Sequence, residues 1–423
     1  MKFFFSKFII LNLVLIFSSI PLFGQDDFSS FMTEEDIPIL QLSGEGIINT
    51  RYKIKYSYPL NSNIDVYPEI NLNLDYIGER SEFHGGLGFS AYASTDPEQL
   101  IKEAYFQLYF NNFNIELGYL KLLWGKGDGV FTFDNLNAFN YTDFINKTYM
   151  KQKIPETMIK INFPFGMQGM VEAVYTPVFT SDIYPELTED GDWEQTAYKI
   201  IDSPNTTTLS DSQLGLRFTN CIGGFDLGAS YQYTFLRESL IDLDVSPIPS
   251  NSWDRVHLLG AETAFVVLAF NIWAEAAYYM TTDFAGNDPL VHNNQFVYLL
   301  GFSRDLMVHN ISLNIQVKSK LKLFPDNITD PSDIDFNSDS NYNTSLLIAS
   351  LKDSYFNEKI TAKLKGTYSI EGNDFMITPE LEINLIEDTW LNIKYSFFYG
   401  DSDTLYGQFE DNDFFEIKMV YSF

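Results

Sequence analysis

Hydrophobic and polar residues alternate along most of this chain with a period of two. Leu72, Leu74 and Tyr76 fall on one face of an extended segment, and the residues between them are Asn and Asp. A period of two indicates a β-strand whose faces meet different surroundings. The same pattern continues in 412–423, so the sequence predicts an all-β protein whose alternation runs up to its last residue.

Eighteen alternating segments follow one another along the chain. They are 43–57, 66–78, 82–94, 99–110, 113–124, 155–164, 167–177, 211–220, 224–236, 254–267, 270–283, 293–303, 308–322, 341–351, 357–370, 374–386, 388–399 and 412–423. Most reach the roughly 9–11 residues that a tilted strand needs to cross a bilayer. The pattern therefore predicts a transmembrane antiparallel β-barrel of about 18 strands, with sixteen as the alternative. The pair 254–267 and 270–283 fits least well, because it is nearly apolar on both faces.

The connections sort by length in a way that supports this count. Turns after even-numbered segments are short, as at Asn111 and Gly223. The connections after odd-numbered segments include the long ones, about 125–154, 178–210, 237–253, 323–340 and 400–411. Short periplasmic turns and long extracellular loops are typical of outer-membrane barrels. A wrong strand count would have disrupted the sorting, which favours eighteen.

The two ends of the chain point to export. Residues 1–24 have a basic head, an apolar stretch and a small final residue, as in a secretory signal peptide. We expect 25–41 to be a short periplasmic lead-in and 42–423 to be the barrel. The terminal Phe423 resembles the closing strand of bacterial outer-membrane proteins, in which the last residue serves as an assembly signal. That resemblance implies the barrel assembly machinery as a partner.

Composition narrows the function classes. The net charge of −30 makes nucleic acid an improbable partner. Aromatic residues make up 16% of the chain, and barrels use them as girdles at the membrane interfaces. The four histidines form no Cys/His cluster in sequence, so we expect no metal and no cofactor.

Charged residues on the polar faces predict a hydrated lumen with two unlike walls. The acidic wall consists of Asp75, Glu103, Glu116, Glu172, Asp226, Glu262 and Glu275. The basic wall consists of Arg51, Lys53, Lys55, Lys318, Lys320, Lys322, Lys363, Lys365, Lys394 and Lys418. Fixed charges of this kind set the ion selectivity of pores. The alternative is that the charges pair across neighbouring strands.

A second stretch carries a family resemblance. Trp124-Gly125 ends a predicted strand and opens an Asp/Asn-containing loop, while Pro155 and Pro177 bracket the next hairpin. This resembles a porin-like family of outer-membrane barrels, although that family usually has Asn-Pro where this chain has Asn137-Ala138. The resemblance implies a porin-like barrel without defining a substrate.

By analogy with general porins, loop 125–154 is predicted to fold inward as a constriction. Its candidate residues are Trp124, Lys126, Asp128, Asp134 and Asn137. The alternative is a loop packed on the rim, with Trp124 as an anchor at the membrane interface. A further acidic loop, 323–340, is expected to be solvated.

These patterns predict a bacterial outer-membrane porin or channel for small hydrophilic solutes or ions, surrounded by lipid and without enzymatic activity. Lumen charges and loop 125–154 would set its selectivity. The alternative is a surface adhesin or receptor that displays the acidic loops around an occluded lumen; a barrel hydrolase is a third class. The sequence leaves the oligomeric state open, a homo-oligomer included.

The sorting of short and long connections predicts which end of the barrel faces the outside of the cell. A cysteine placed in 178–210 or 323–340 should react with a membrane-impermeant label on intact cells. Asn111→Cys and Gly223→Cys should stay unlabelled until the outer membrane is permeabilised. Labelling of Gly223→Cys on intact cells would reverse the predicted orientation.

Overall fold

The computed structural model describes residues 39–54, 64–90, 100–145, 147–183, 185–187, 193–198, 209–242 and 250–423. The predicted signal peptide and most of the predicted lead-in lie outside these ranges. The strands are β1 (Ile39–Lys53), β2 (Ile64–Ile77), β3 (Ser81–Ser90), β4 (Ile101–Tyr109), β5 (Asn114–Leu120), β6 (Glu156–Phe165), β7 (Gly169–Thr176), β8 (Pro185–Leu187), β9 (Trp193–Tyr198), β10 (Gln213–Ile222), β11 (Phe225–Asp242), β12 (Ser250–Val267), β13 (Phe270–Met280), β14 (Gln295–Asp305), β15 (Ser312–Lys322), β16 (Asn343–Tyr355), β17 (Ile360–Ser369), β18 (Asp374–Ile386), β19 (Thr389–Tyr399) and β20 (Phe414–Ser422).

The helical elements of the described residues are short. One α-helix, α1, spans Tyr149–Gln152, and 3₁₀ turns span Leu209–Asp211, Pro325–Asn327 and Gly407–Asn412. Within these ranges, none of the helices is long and apolar enough to cross a membrane.

Eighteen of the strands close into one antiparallel barrel. Successive strands pair along the chain, β7 pairs with β10, and β20 returns to pair with β1. The strands β8 and β9 form a separate hairpin in the connection between β7 and β10. The predicted fold and the predicted count of eighteen strands are confirmed.

The period of two in the sequence becomes an outer and an inner face of the wall. On β10, Leu214, Leu216 and Phe218 are 45–50% exposed on the outside of the barrel. Arg217 lies between them and points inward to carboxylates of other strands. An apolar outer band around a polar interior is the arrangement that lipid outside and water inside stabilise.

Tight turns connect the strands at one end of the barrel. Gly223 and Gly224 have φ values of 60° and 86°, so the β10–β11 turn uses a conformation that glycine adopts without strain. The β12–β13 turn places Leu268 and Ala269 in the same region, with φ values of 48° and 65°. Leu268 is 84% exposed there, so this apolar turn projects beyond the barrel.

Some predicted boundaries need correction. The predicted loop 237–253 is largely strand, because β11 and β12 pair again beyond an irregularity between Phe235 and Ser239. A bulge interrupts the period of two, so the sequence pattern beyond it predicts a loop although the strand continues. The strand β1 begins at Ile39, inside the predicted lead-in, and the β8–β9 hairpin was not predicted.

The barrel closes on its last residue. The main chain of Phe423 exchanges two hydrogen bonds with Gly44, at 2.9 and 3.0 Å. A Cβ atom on Gly44 would collide with the Phe423 ring and with the carbonyl oxygen of Asn71. The glycine therefore makes room for the terminal aromatic ring at the junction of β1 and β20.

This junction predicts a matched pair of glycine variants. Gly44→Ala should lower the yield of folded, heat-modifiable barrel, as should deletion of Phe423, because both disturb the closing contact. Gly46→Ala is the control, since a Cβ atom there meets nothing within 4 Å. Equal yields for the two alanine variants would contradict the proposed role of this contact.

Candidate functional site

The lumen is lined by the inward-facing positions of the strands. Strand register places on this face the predicted residues Asp75, Glu103, Glu116, Glu172, Asp226, Glu262, Glu275, Arg51, Lys53, Lys318, Lys320, Lys322, Lys363, Lys365, Lys394 and Lys418. Lys55 lies outside the described residues. The inner face is therefore the candidate site.

The predicted acidic wall contains an alternating series of charges, which we call the acid–base ladder. Lys160 on β6 lies 3.1 Å from Glu116 on β5 and 3.6 Å from Glu172 on β7. Arg217 on β10 lies 3.0 Å from Glu172 and 2.5 Å from Glu262 on β12. Because a cation stands between each pair of carboxylates, this part of the wall is not purely acidic.

A glycine allows Arg217 to bridge two strands. The strand β11 separates Arg217 from Glu262, and at the crossing point it carries Gly228. A Cβ atom on Gly228 would occupy the position of the Glu262 side chain. The missing side chain thus lets the guanidinium reach across β11 to the next strand.

The predicted basic wall is also largely neutralised. Lys363 lies 2.6 Å from Glu382 and 3.6 Å from Glu380. Glu416 lies 3.2 Å from Lys394 and 3.1 Å from Arg51. Glu380, Glu382 and Glu416 thus pair directly with residues of the predicted basic wall.

Four lumen lysines have no ion-pair partner within the described part of the chain. They are Lys318 on β15, Lys352 on β16, Lys365 on β17 and Lys418 on β20. Lys352 was not predicted, because its strand extends beyond the predicted segment 341–351. Three of these four lysines lie on adjacent strands, so most of the uncompensated positive charge of the lumen is concentrated there.

Most of the remaining predicted charges have local partners. Asp75 lies 2.7 Å from His84, and Glu103 accepts a hydrogen bond from the Lys121 amide at 3.1 Å. The other ion pairs are Lys53 with Asp65, Asp226 with Lys126, Lys320 with Glu238 and Lys322 with Asp335. Lys160 and Arg217, which the prediction omitted, alternate with apolar neighbours and could have been found from the same pattern.

The segment between β5 and β6, residues 121–155, folds into the barrel, and we call it the inward loop. Its residues 131–139 are all buried. Trp124 and Leu136 pack against Gly215 of β10, and Phe133 packs against Gly260 of β12. These side chains join inward-facing apolar residues of the wall in one hydrophobic cluster.

The inward loop also contacts the opposite wall. Asp143 lies 3.2 Å from Arg51, which stacks over the Phe414 ring at 4.2 Å. Phe144 packs against Phe409, which precedes β20, at 5.5 Å between ring centroids. The loop therefore spans the lumen between β10–β15 on one side and β1 and β20 on the other.

The five candidate constriction residues separate into two groups. Trp124, Asp134 and Asn137 are 1%, 8% and 0% exposed, so they hold the loop together instead of facing the passage. Lys126 and Asp128 are the two that retain solvent exposure. The interfacial position considered for Trp124 does not apply, because its ring lies inside the barrel.

The buried members form a polar core of the loop. Asn137 bonds the Leu122 amide at 2.8 Å and two carbonyl oxygens at 3.0 Å. Asp134 forms an ion pair with Lys153 at 2.5 Å. Burial raises the pKa of Asp134 and lowers that of Lys153, while their mutual attraction opposes both shifts.

The loops after β13 and β15 are tied to each other at the same end of the barrel. Asp335 accepts hydrogen bonds from His292 Nδ1 at 2.8 Å, from the Asn293 amide at 2.7 Å and from Lys322 at 2.5 Å. Asp335 is 6% exposed, so the prediction of a solvated loop fails at this residue. His292 and Asp335 are far apart in sequence, and nothing in their spacing indicated the contact.

Comparison with known proteins identifies the architecture. No protein-family model matches the sequence, and no curated protein matches it. OccK3 (OpdO) of Pseudomonas aeruginosa is similar in structure, with 9% identity over 91% of this chain and 95% of that chain and a TM-score of 0.52. OccAB3 of Acinetobacter baumannii has 10% identity over 91% and 99% of the two chains and a TM-score of 0.50.

A lower likeness is found to the outer membrane channel DcaP of Acinetobacter baumannii, with 11% identity over 93% and 99% of the chains and a TM-score of 0.45. At such identities a structural likeness shows the fold alone. The fold is a closed 18-strand antiparallel barrel that matches outer-membrane barrels.

The Asp335 contacts predict a response to acid. Burial acts to raise the pKa of Asp335, but the hydrogen bond from His292 and the charge of Lys322 lower it to about 2. A carboxylate with a lowered pKa stabilises the folded state at higher pH, and this contribution is lost as the pH falls through about 2. Wild type should therefore resist pepsin in loop 323–342 at about pH 4 and be cleaved there near pH 2.

The matched variant is Asp335→Asn, which removes the titrating group. It should be cleaved in the same loop at both pH values. A wild-type cleavage rate that does not change between them would show that Asp335 does not hold the two loops together.

Proposed function

We propose that this protein is a porin-like channel of the bacterial outer membrane for small hydrophilic solutes or ions. The observation that carries the proposal is the inward loop, which is held against two opposite walls of a barrel lined with polar side chains. A segment placed across the lumen narrows a passage, and a protein that only displays external loops has no need of it. Passive passage of solutes through the lumen requires no catalytic group.

The proposed selectivity is weak. Charges in the acid–base ladder and around Lys394 compensate one another at short range, which supports a small net field inside the barrel. Lys318, Lys352, Lys365 and Lys418 remain as uncompensated cations, while the net charge of −30 supports a negative potential at the mouth. Such a potential concentrates cations within about a Debye length, ~10 Å at 0.1 M salt. The result would be a slight cation preference at low salt that fades as salt rises.

A second candidate follows from the burial of residues 131–139 inside the barrel. If the inward loop fills the lumen, the protein would be an adhesin or receptor with an occluded barrel. Planar-bilayer recordings discriminate between the two, because an occluded barrel gives no conductance steps. The outer band of exposed apolar side chains supports lipid as the surrounding medium for either candidate.

Single-channel recording tests the channel and its selectivity together. Replacing Lys318, Lys352 and Lys365 by Gln should raise the cation-to-anion permeability ratio in a low-salt gradient. We expect a roughly two- to tenfold increase, since each unit charge a few ångströms away is worth up to about 1 kcal/mol in water.

The double variant Glu116→Gln with Lys160→Gln is the control, because it removes one acid and one base of the ladder and leaves the net charge unchanged. Its reversal potential should equal that of wild type. If the triple variant also keeps the wild-type reversal potential, the three lysines do not set the selectivity.

A further inference from the structure

One carboxylate of the wall is surrounded by the main chain of the inward loop. Glu275 of β13 is 3% exposed. Its Oε1 atom accepts hydrogen bonds from the amides of Lys126 and Gly127 at 2.6 and 2.7 Å. Its Oε2 atom accepts from the Thr132 amide at 2.8 Å and from the Thr132 hydroxyl at 3.0 Å. Four donors from one loop thus converge on one side chain.

The charge of Glu275 depends on these donors. No cation lies within ion-pair distance of it in the described part of the chain. Glu262, directly opposite on β12, is paired with Arg217, and the Lys126 ammonium is turned to Asp226 instead. A buried carboxylate without donors is strongly destabilising, so departure of the loop would leave an unfavourable charge in the wall.

The loop and the wall fit each other closely at this point. Gly125 has a φ of 128°, and a Cβ atom there would collide with the Glu275 carboxylate. Gly127 is equally restricted, by the Val130 carbonyl group and by Leu299 of β14. Glycine is needed at both positions because the backbone turns tightly around the acid. Gln316 of β15 extends the contact, because its side-chain amide accepts a hydrogen bond from the Asp128 N–H and donates one to the Asp128 carbonyl oxygen.

We propose that Glu275 is the positioning residue of the inward loop, and that its carboxylate sets the width of the passage by fixing residues 126–132 against the wall. The proposal rests on the channel function for its effect on transport. The docking itself is independent of transport and can be measured separately.

Glu275→Gln is the direct test, because the amide keeps the size of the side chain but replaces one accepting oxygen by an NH₂ group. Hydrogen exchange of the folded protein, read by mass spectrometry, reports the amides of Lys126, Gly127 and Thr132. Loss of charge-assisted hydrogen bonds should speed their exchange by roughly ten- to hundredfold. Glu262→Gln is the control, since that carboxylate bonds Arg217 and should leave the three amides protected.

Gly125→Ala reaches the same contact from the loop side and serves if Glu275→Gln does not fold. It should also speed exchange of the three amides, because the added methyl group pushes the loop away from the carboxylate. Wild-type exchange rates in both variants would overturn the proposal.

Conductance tests the second half of the proposal. Glu275→Gln should give larger or more variable single-channel steps and admit larger uncharged solutes than wild type. Faster exchange with unchanged conductance and unchanged size exclusion would overturn the role of Glu275 in setting the passage. A wild-type protein that conducts nothing would refute the channel function, while the exchange rates would still decide whether Glu275 holds the loop.

Discussion

The whole structure depends on pairing the backbone hydrogen-bonding groups of every barrel strand. A lipid environment offers no water to an unpaired N–H or C=O group, so a sheet can cross it only when it has no free edge. The pairing of β20 with β1 meets this requirement for the eighteen strands. Once the sheet is closed, each strand has one face on the outside of the barrel and one in the lumen, and the period of two along the chain follows.

Closure creates a second requirement, which is to accommodate charge and bulk inside the barrel. Many lumen charges lie next to opposite charges on neighbouring strands, and Gly228 extends one such contact across a strand. The inward loop supplies the apolar content, because Trp124 and Phe133 pack over wall glycines. Charged groups then fix its position, with Glu275 on one wall and Arg51 on the other.

The sequence predicts the fold well because strand alternation is a local property. The structure also explains why the two predicted strands 254–267 and 270–283 show the weakest alternation. The inward residues Leu258 and Ala277 of these strands pack against the inward loop, so they are apolar although they face the lumen. Contacts between distant residues could not be predicted. His292 with Asp335, and Glu275 with the loop, depend on how closed strands and loops are placed in space, which the spacing of residues along the chain does not encode.

The acid–base ladder has a consequence for the reach of the wall's electric field. Opposite charges that alternate around the wall, most of them on neighbouring strands about 4.8 Å apart, behave as a row of small dipoles of opposing direction. The potential of such a row decays within about one repeat of the pattern, whereas an isolated charge acts over roughly a Debye length. A solute near the axis of the lumen would therefore sense charges without an ion partner, such as the uncompensated lysines, more than the ladder, and a solute that touches the wall would sense the individual members of the ladder.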